Sequence, residues 1–320
     1  AGATALFIAV CWTTSAQLSH SLQTDCGYAK PFLITYIHEV VLGVISALLA
    51  ICAPRGDSPG ILVMGRSLAV RAFFLALVAF VSNFSFTLAL RYTEVSSAMT
   101  LEQLTSVFIV VLSCVILKER YRLWQLMSLV LAVGGAVVVT QSDATHGGAS
   151  NPLLGDILTL VTALTAAIYM VMFRKFFAGE AFGWYAFLVF FAMKGAVVAA
   201  VCWVGLVLPL EDEALPASAC AWELLSLNTV AAAAFNLALA CAILAFSPLA
   251  ARLFILLGLP MSLALHTALG NDTRLGHVFG VLMVLVGVFS FEVCSAPQVG
   301  EAVKGSNSQV TVEEGLHLAD

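Results

Sequence analysis

Long apolar runs separated by short polar loops organise this chain. The stretch 93–140 shows the pattern most sharply. Its two apolar runs, 95–117 and 123–139, flank the charged loop Lys118-Glu119-Arg120-Tyr121-Arg122. Neither run has a continuous polar face, so neither suits the surface of a soluble domain. As a helix rising 1.5 Å per residue, each covers most or all of a hydrocarbon core about 30 Å thick. The same pattern along the chain predicts ten spans, at 3–22, 31–53, 70–90, 95–117, 123–140, 152–173, 182–208, 223–246, 248–269 and 275–294. The tail 295–320 is too polar to pack and is expected to be disordered and cytoplasmic.

Composition agrees with this pattern and excludes other classes. The 320 residues are 61% hydrophobic and 10% charged, with a mean hydropathy of +1.01. Ordinary soluble domains carry about 25% charged residues. The chain therefore reads as an all-α integral membrane protein that meets the lipid bilayer. No basic surface points to nucleic acid. The eight cysteines form no C-x-x-C pair or other metal-ligand spacing. No phosphate-binding loop of the G-x-x-x-x-G-K-[ST] type occurs, so direct ATP drive is not expected. An enzyme would need a clustered acid, base or metal set. The sole dyad, His38-Glu39, joins neighbours that point to different faces of a helix. No catalytic residue, metal or cofactor is expected.

Basic residues predict the orientation. Loops after even-numbered spans, with their flanks, hold Arg55, Arg66, Arg71, Lys118, Arg120, Arg122, Arg174, Lys175 and Arg252. Loops after odd-numbered spans hold Lys30, Arg91 and Arg274. This bias places both termini in the cytoplasm. Cys26 and Cys220 then share the non-cytoplasmic side, where they could form a disulfide.

A repeat underlies the spans. Shifting by 152 positions lays 95–139 over 247–291 without a gap and matches Ala98 with Ala250, Leu101 with Leu253, Leu117 with Leu269, Arg122 with Arg274, Leu123 with Leu275 and Gly135 with Gly287. Span 4 is thereby paired with span 9, and span 5 with span 10. An offset of five spans, an odd number, inverts the second copy relative to the first. The expected architecture is thus ten transmembrane helices in a five-plus-five inverted repeat. The first repeat covers 1–142 and the second 143–294.

Several stretches resemble a known family. The run from Gly155 to Tyr169 (GDILTLVTALTAAIY), followed by Arg174-Lys175, resembles the sixth helix of the drug/metabolite transporter superfamily. The stretch from Val107 through Lys118-Glu119-Arg120 to Gly134-Gly135 is similar to its fourth and fifth helices. Trp12-Thr13-Thr14-Ser15-Ala16-Gln17 and Gly258-Leu259-Pro260 look most like the F-type branch of solute carrier family 35, whose best-known proposed substrate is thiamine. The resemblance implies ten helices, an inverted repeat and alternating access. It does not by itself fix a substrate.

Charged residues within the spans are the candidate site. A carboxylate at a helix centre costs about 2.5–3.5 kcal/mol even on a mild insertion scale, so Glu39 and Glu102 are expected to face protein or water. Both fall roughly 10–12 Å from the non-cytoplasmic edge, and Lys194 falls about 12 Å from the same edge. Such a shared polar layer could bind an organic cation or carry protons, with Lys194 as counter-ion. The plainer alternative is a structural salt bridge from Lys194 to Glu39 or Glu102. Thr105 and Ser106 lie on the face of Glu102, and Gln17 belongs to the polar half of span 1; all three are candidate substrate-binding residues. Arg91, Glu94 and Pro260 are candidate gating residues, the first two as a pair and the third as a kink. Gly276, Gly280 and Gly287 place a small-residue stripe on span 10, suited to a homodimer contact or to packing within one chain.

The expected function is secondary transport of a small polar metabolite, such as the organic cation thiamine. The intramembrane acids favour a cation over a nucleotide sugar, whose phosphates need basic partners. The alternatives are a nucleotide-sugar transporter or antiporter of the same superfamily, and a non-transporting membrane receptor or scaffold.

Overall fold

The protein was described from a computed structural model, which covers residues 2–24, 26–28, 30–52, 61–89, 92, 98, 101–143, 152–178, 184–207, 215–258 and 275–295. Among these residues the regular elements are helices, with no strand. They are α1 (Gly2–Thr24), α2 (Pro31–Cys52), α3 (Ile61–Ala89), α4 (Leu104–Leu117), α5 (Leu123–Asp143), α6 (Pro152–Phe177), α7 (Trp184–Val207), α8 (Ala219–Ala245), α9 (Pro248–Leu256) and α10 (Leu275–Ser295). Among the described residues, five helices are long and apolar enough to cross a membrane: 31–52, 67–89, 153–177, 184–204 and 219–245. Shorter apolar helices cover 104–117, 123–138 and 278–291.

α3 starts at Ile61, well before the expected start of span 3. Arg66 breaks the apolar run there and so reads as loop, yet the helix runs through residues 61–66, where Leu62, Met64 and Arg66 are good helix formers and Gly65 is not. Local chemistry explains other helix ends. Ser218 caps α8 by accepting from the Ala221 N–H at 3.2 Å, and Ser247 caps α9 by accepting from the Ala250 N–H at 3.1 Å. Pro248 takes the first position of α9, where a missing N–H costs least. The last turn of α4 (Ser113–Leu117) widens to a π turn and closes on Lys118 in the left-handed conformation, φ 57°. In the loop that follows, Tyr121 donates to Glu119 at 2.8 Å, and burial pushes its phenol pKa upward.

The packing turns a soluble protein inside out. Leu123, Trp124 and Val130 on α5 and Phe289 on α10 are exposed. Glu39, Glu102, Lys194 and Arg252 are buried. This is the distribution expected when the surrounding solvent is hydrocarbon. Hydroxyls inside the helices bond backward to their own backbone, as Thr159 does to Gly155 O at 2.9 Å and Thr229 to Leu225 O at 2.7 Å.

The helices pack in pairs: α1 with α8 and α9, α2 with α7, α3 with α6 and α7, α4 with α6, and α5 with α10. At one end an aromatic cluster fills the space between α6 and α7. Phe173 and Phe177 approach Phe190 to 5.5 and 5.0 Å between ring centroids. Arginines supply donors to helix-end carbonyls there: Arg71 to Phe176 O at 2.8 Å, and Arg174 to Ile243 O at 2.8 Å and to Leu244 O. At the other end Cys26, in the α1–α2 turn, is disulfide-bonded to Cys220 in the first turn of α8. Leu22, Leu33, Ile34 and Leu225 pack together beneath that bond.

Candidate functional site

The four buried charges form two ion pairs, each joining helices far apart in sequence. The first lies at the α2–α7 crossing. Gly43 and Gly195 meet there so closely that a Cβ on Gly43 would fall 2.6 Å from the Gly195 Cα. Only glycine permits that approach, and it brings Glu39, one turn before Gly43, beside Lys194. Lys194 Nζ is 2.8 Å from Glu39 Oε2, with both side chains almost fully buried. Asn83 of α3 donates to the other carboxylate oxygen at 3.2 Å. The ammonium also lies over the rings of Tyr169, 5.4 Å from its centroid, and Phe191, 5.7 Å away.

The second pair joins α9 to the turn before α4. The Ser106 N–H bonds to Gln103 O, three residues back, so the backbone is tightened at this point. The Glu102 carbonyl instead accepts from Thr105 Oγ1 at 2.6 Å and from Arg252 Nη2 at 3.2 Å. Arg252 Nη1 is 2.9 Å from Glu102 Oε1. Arg252 thus neutralises the carboxylate and satisfies a carbonyl of the same residue. Each carboxylate has a base of its own, so the two pairs together carry no net charge.

A neutral polar group lies between α1 and α8. Ser15 donates to Asn228 Oδ1 at 2.7 Å, and Asn228 Nδ2 donates to Ser19 Oγ at 3.0 Å. Asn228 is fully buried. In hydrocarbon, such amides persist where partners or water satisfy them.

The family profile described as Solute carrier family 35, in its SLC35F group, matches residues 3–246, more than half of the chain. The chain belongs to solute carrier family 35. As a family 35 protein it is a membrane transporter by kinship, in keeping with its apolar helices. Uncharacterized transporter C405.03c of Schizosaccharomyces pombe is 24% identical over 315 residues, covering 88% of this chain and 92% of that protein. Solute carrier family 35 member F5 of Bos taurus is 31% identical over 107 residues, 32% of this chain and 20% of that protein. A solved crystal structure matches the fold with a TM-score of 0.64 at 18% identity, covering 91% of this chain and 96% of the other.

Within this family 35 chain, the residues singled out from sequence divide into groups. Glu39, Lys194, Glu102, Thr105 and Ser106 are buried, but in two places: the first two at α2–α7, the rest at α4–α9. Lys194 meets Glu39, one of its two expected candidates, while Glu102 meets Arg252. Gln17 is exposed on α1. Arg91, Glu94 and Pro260 lie outside the described residues. Gly280 and Gly287 pack against α5 of the same chain: a Cβ on Gly135 would meet Gly280 O at 2.6 Å, and one on Gly287 would meet Ala132 N at 2.6 Å. Cys26 and Cys220 do pair.

Sequence reasoning passed over Arg252 as a charge near a helix start. It also missed Asn83, Asn228, Tyr169 and Phe191. The two asparagines carried a usable signal, since each is an amide inside an apolar run. The aromatic residues carried none, because this chain has 21 phenylalanines and 6 tyrosines.

Proposed function

We propose that the chain is a secondary transporter that moves a small polar metabolite, of the organic-cation class to which thiamine belongs, by alternating access. The observation that carries this reading is the placement of the two buried ion pairs. Each links a segment from the first 142 residues to a helix from the rest, and a rearrangement between halves would have to exchange those contacts.

The helix pairing supports an inverted repeat as the frame for that motion. Exchanging each helix with the one five later maps the α3–α6 contact onto α8–α1, α4–α6 onto α9–α1, and α3–α7 onto α8–α2. The α2–α7 and α5–α10 contacts map onto themselves. The close approaches follow the same rule at a shift of 152. Gly43 is equivalent to Gly195, its own neighbour, and the Gly135–Val284 contact is equivalent to Gly287–Ala132. Two similar halves about an axis in the membrane plane support rocking of one against the other. The Cys26–Cys220 bond supports the orientation with both termini in the cytoplasm, since it belongs on an oxidising side.

Uptake of thiamine into proteoliposomes containing purified protein tests the reading. Uptake is expected to saturate, and Glu102→Gln is expected to lower it about tenfold or more. Uptake of nucleotide sugars with none of thiamine would falsify the cation assignment. Arg252 supports that second reading: it is a buried guanidinium on α9 whose Nε has no hydrogen-bond partner among the described residues, as a phosphate ligand requires.

A further inference from the structure

The helices sort into two groups that cut across the sequence repeat. α1, α2, α8 and α9 pack on one another, and so do α3, α4, α6 and α7. The Cys26–Cys220 and Ser15–Asn228 bonds stay inside the first group, and the Arg71–Phe176 bond stays inside the second. A shift of five helices turns one group into the other, so each contact between groups has a counterpart under that exchange. The counterparts differ. α6 reaches α8 and α9, whereas α1, the counterpart of α6, makes no comparable contact with α3 or α4 among the described residues. For α2 and α3 the difference has the opposite sign. They touch, with the Phe32 and Phe80 ring centroids 5.3 Å apart, while their counterparts α7 and α8 make no comparable contact. Opposite changes on two pairs are what a rotation of one group against the other leaves behind, and the Gly43–Gly195 contact, which is its own counterpart, suits the pivot.

The α6–α8 contact carries a polar fastening. Carbonyls in the last turn of a helix have no partner within it. In α8 the Phe246 N–H donates to Ala242 O at 2.9 Å, but Pro248 has no N–H to offer Leu244 O. Arg174, in the last turn of α6, fills the gap. Its Nη1 donates to Ile243 O at 2.8 Å and to Leu244 O. Its charge also meets the negative end of the α8 dipole. Arg71 braces the same turn of α6 from within the second group, through Phe176 O and the rings of Phe176 and Phe177. Arg174 thus reaches from a braced helix end onto a helix end of the other group.

We propose that Arg174 is the latch that holds this end of the bundle shut, the cytoplasmic end in the orientation given above. The inference rests on the transporter reading and names a residue that sets which end of the bundle opens. To open this end, the second group swings α6 away from α8, and water takes over the guanidinium and the two carbonyls. No carboxylate pairs with Arg174 among the described residues, so release parts hydrogen bonds without parting an ion pair. Both sides of the latch lie at helix ends, where water replaces the lost bonds. That makes the fastening reversible, unlike the covalent tie inside the first group. The same rotation brings α1 and α3 together at the other end.

The test uses the full chain, purified and placed in nanodiscs, with two spin labels at the latched end. One sits on Cys114, exposed in the last turn of α4, and the other on a cysteine replacing the exposed Ala245 at the end of α8. The two positions belong to different groups. Cys26 and Cys220 are kept, and the remaining cysteines are replaced by serine. Pulsed electron paramagnetic resonance reads the distance between the labels. With Arg174 in place, one short-distance population is expected to dominate. Arg174→Met is expected to raise the share of a longer-distance population about tenfold, the effect of losing hydrogen bonds to a charged donor. Arg174→Lys, which keeps a charge and a donor, is expected to restore most of the short distance. If Arg174→Met does not fold, Arg174→Gln takes its place with the same expected direction. An unchanged distribution overturns the latch. So does a change that Arg174→Lys fails to reverse, since that marks a merely structural loss. Thiamine flux by the wild type in proteoliposomes separates this inference from the reading beneath it. Flux with an unchanged distance in Arg174→Met removes the latch and leaves the transporter. A distance that shifts and is restored by lysine, with no thiamine flux, keeps the latch and removes the cation-transport reading.

Discussion

A glutamate inside a membrane helix needs a base, a proton or water, and Glu39 and Glu102 have each met a base from the C-terminal half of the chain. Such pairs add little net stability over a hydrophobic isostere, but leaving one partner alone costs about 3–5 kcal/mol. Glu39→Gln is therefore expected to lower thermal stability sharply, and adding Lys194→Met to recover most of the loss. A double-mutant cycle by differential scanning fluorimetry measures this coupling, and additive losses would exclude it. Both glutamates were legible in the sequence because a charge stands out in an apolar run. Their partners were not. Depth along the helices allowed Lys194 to reach either one, and only the α2–α7 crossing decides between them. Lys118 makes a smaller, separate prediction. It is a non-glycine residue at φ 57°, a conformation costing about 1–2 kcal/mol for side chains with a Cβ. Glycine there relieves the strain and loses more entropy on folding, so Lys118→Gly is expected to raise the melting temperature by about 1–2 °C.

At the scale of elements, the helices follow from apolar runs and caps, while their pairing follows from where small residues allow backbones to touch. Gly195→Ala puts a Cβ 2.5 Å from the Gly43 Cα and 3.0 Å from Glu39 O. Neither neighbour is a flexible side chain, so α2 and α7 must separate, at a cost of about 1–3 kcal/mol. The expected result is a clear drop in melting temperature together with weaker coupling between Glu39 and Lys194. Gly2→Ala, which meets nothing within 4 Å, serves as the control and is expected to change neither. The Gly135–Gly287 match was visible as a repeat in sequence. That the two glycines serve one helix pair, α5 against α10, was not, because a small-residue stripe suits a contact within a chain as well as one between chains. Arg252 was misjudged for a related reason. A residue five positions into a span looks peripheral, yet all of Pro248–Leu256 is buried because α9 sits among α1, α4 and α8.

At the scale of the molecule, the only described covalent tie between distant segments is the Cys26–Cys220 bond, 194 residues apart in sequence. Cross-linking so long a segment restricts the unfolded chain, and replacing both cysteines by serine is expected to cost about 2–4 kcal/mol. A shift in mobility between reducing and non-reducing gels checks the bond itself. The same bond has a topological consequence. It makes residues 26 to 220 a closed ring, with the junction between residues 143 and 152 on its circumference. One protease cut at a site engineered into that junction opens the ring without dividing the protein. The product is expected to migrate as one species until a reductant is added, and then as two. Nicked protein that still transports its solute would show that the two halves work as docked partners, needing their continuous peptide chain for synthesis and not for turnover.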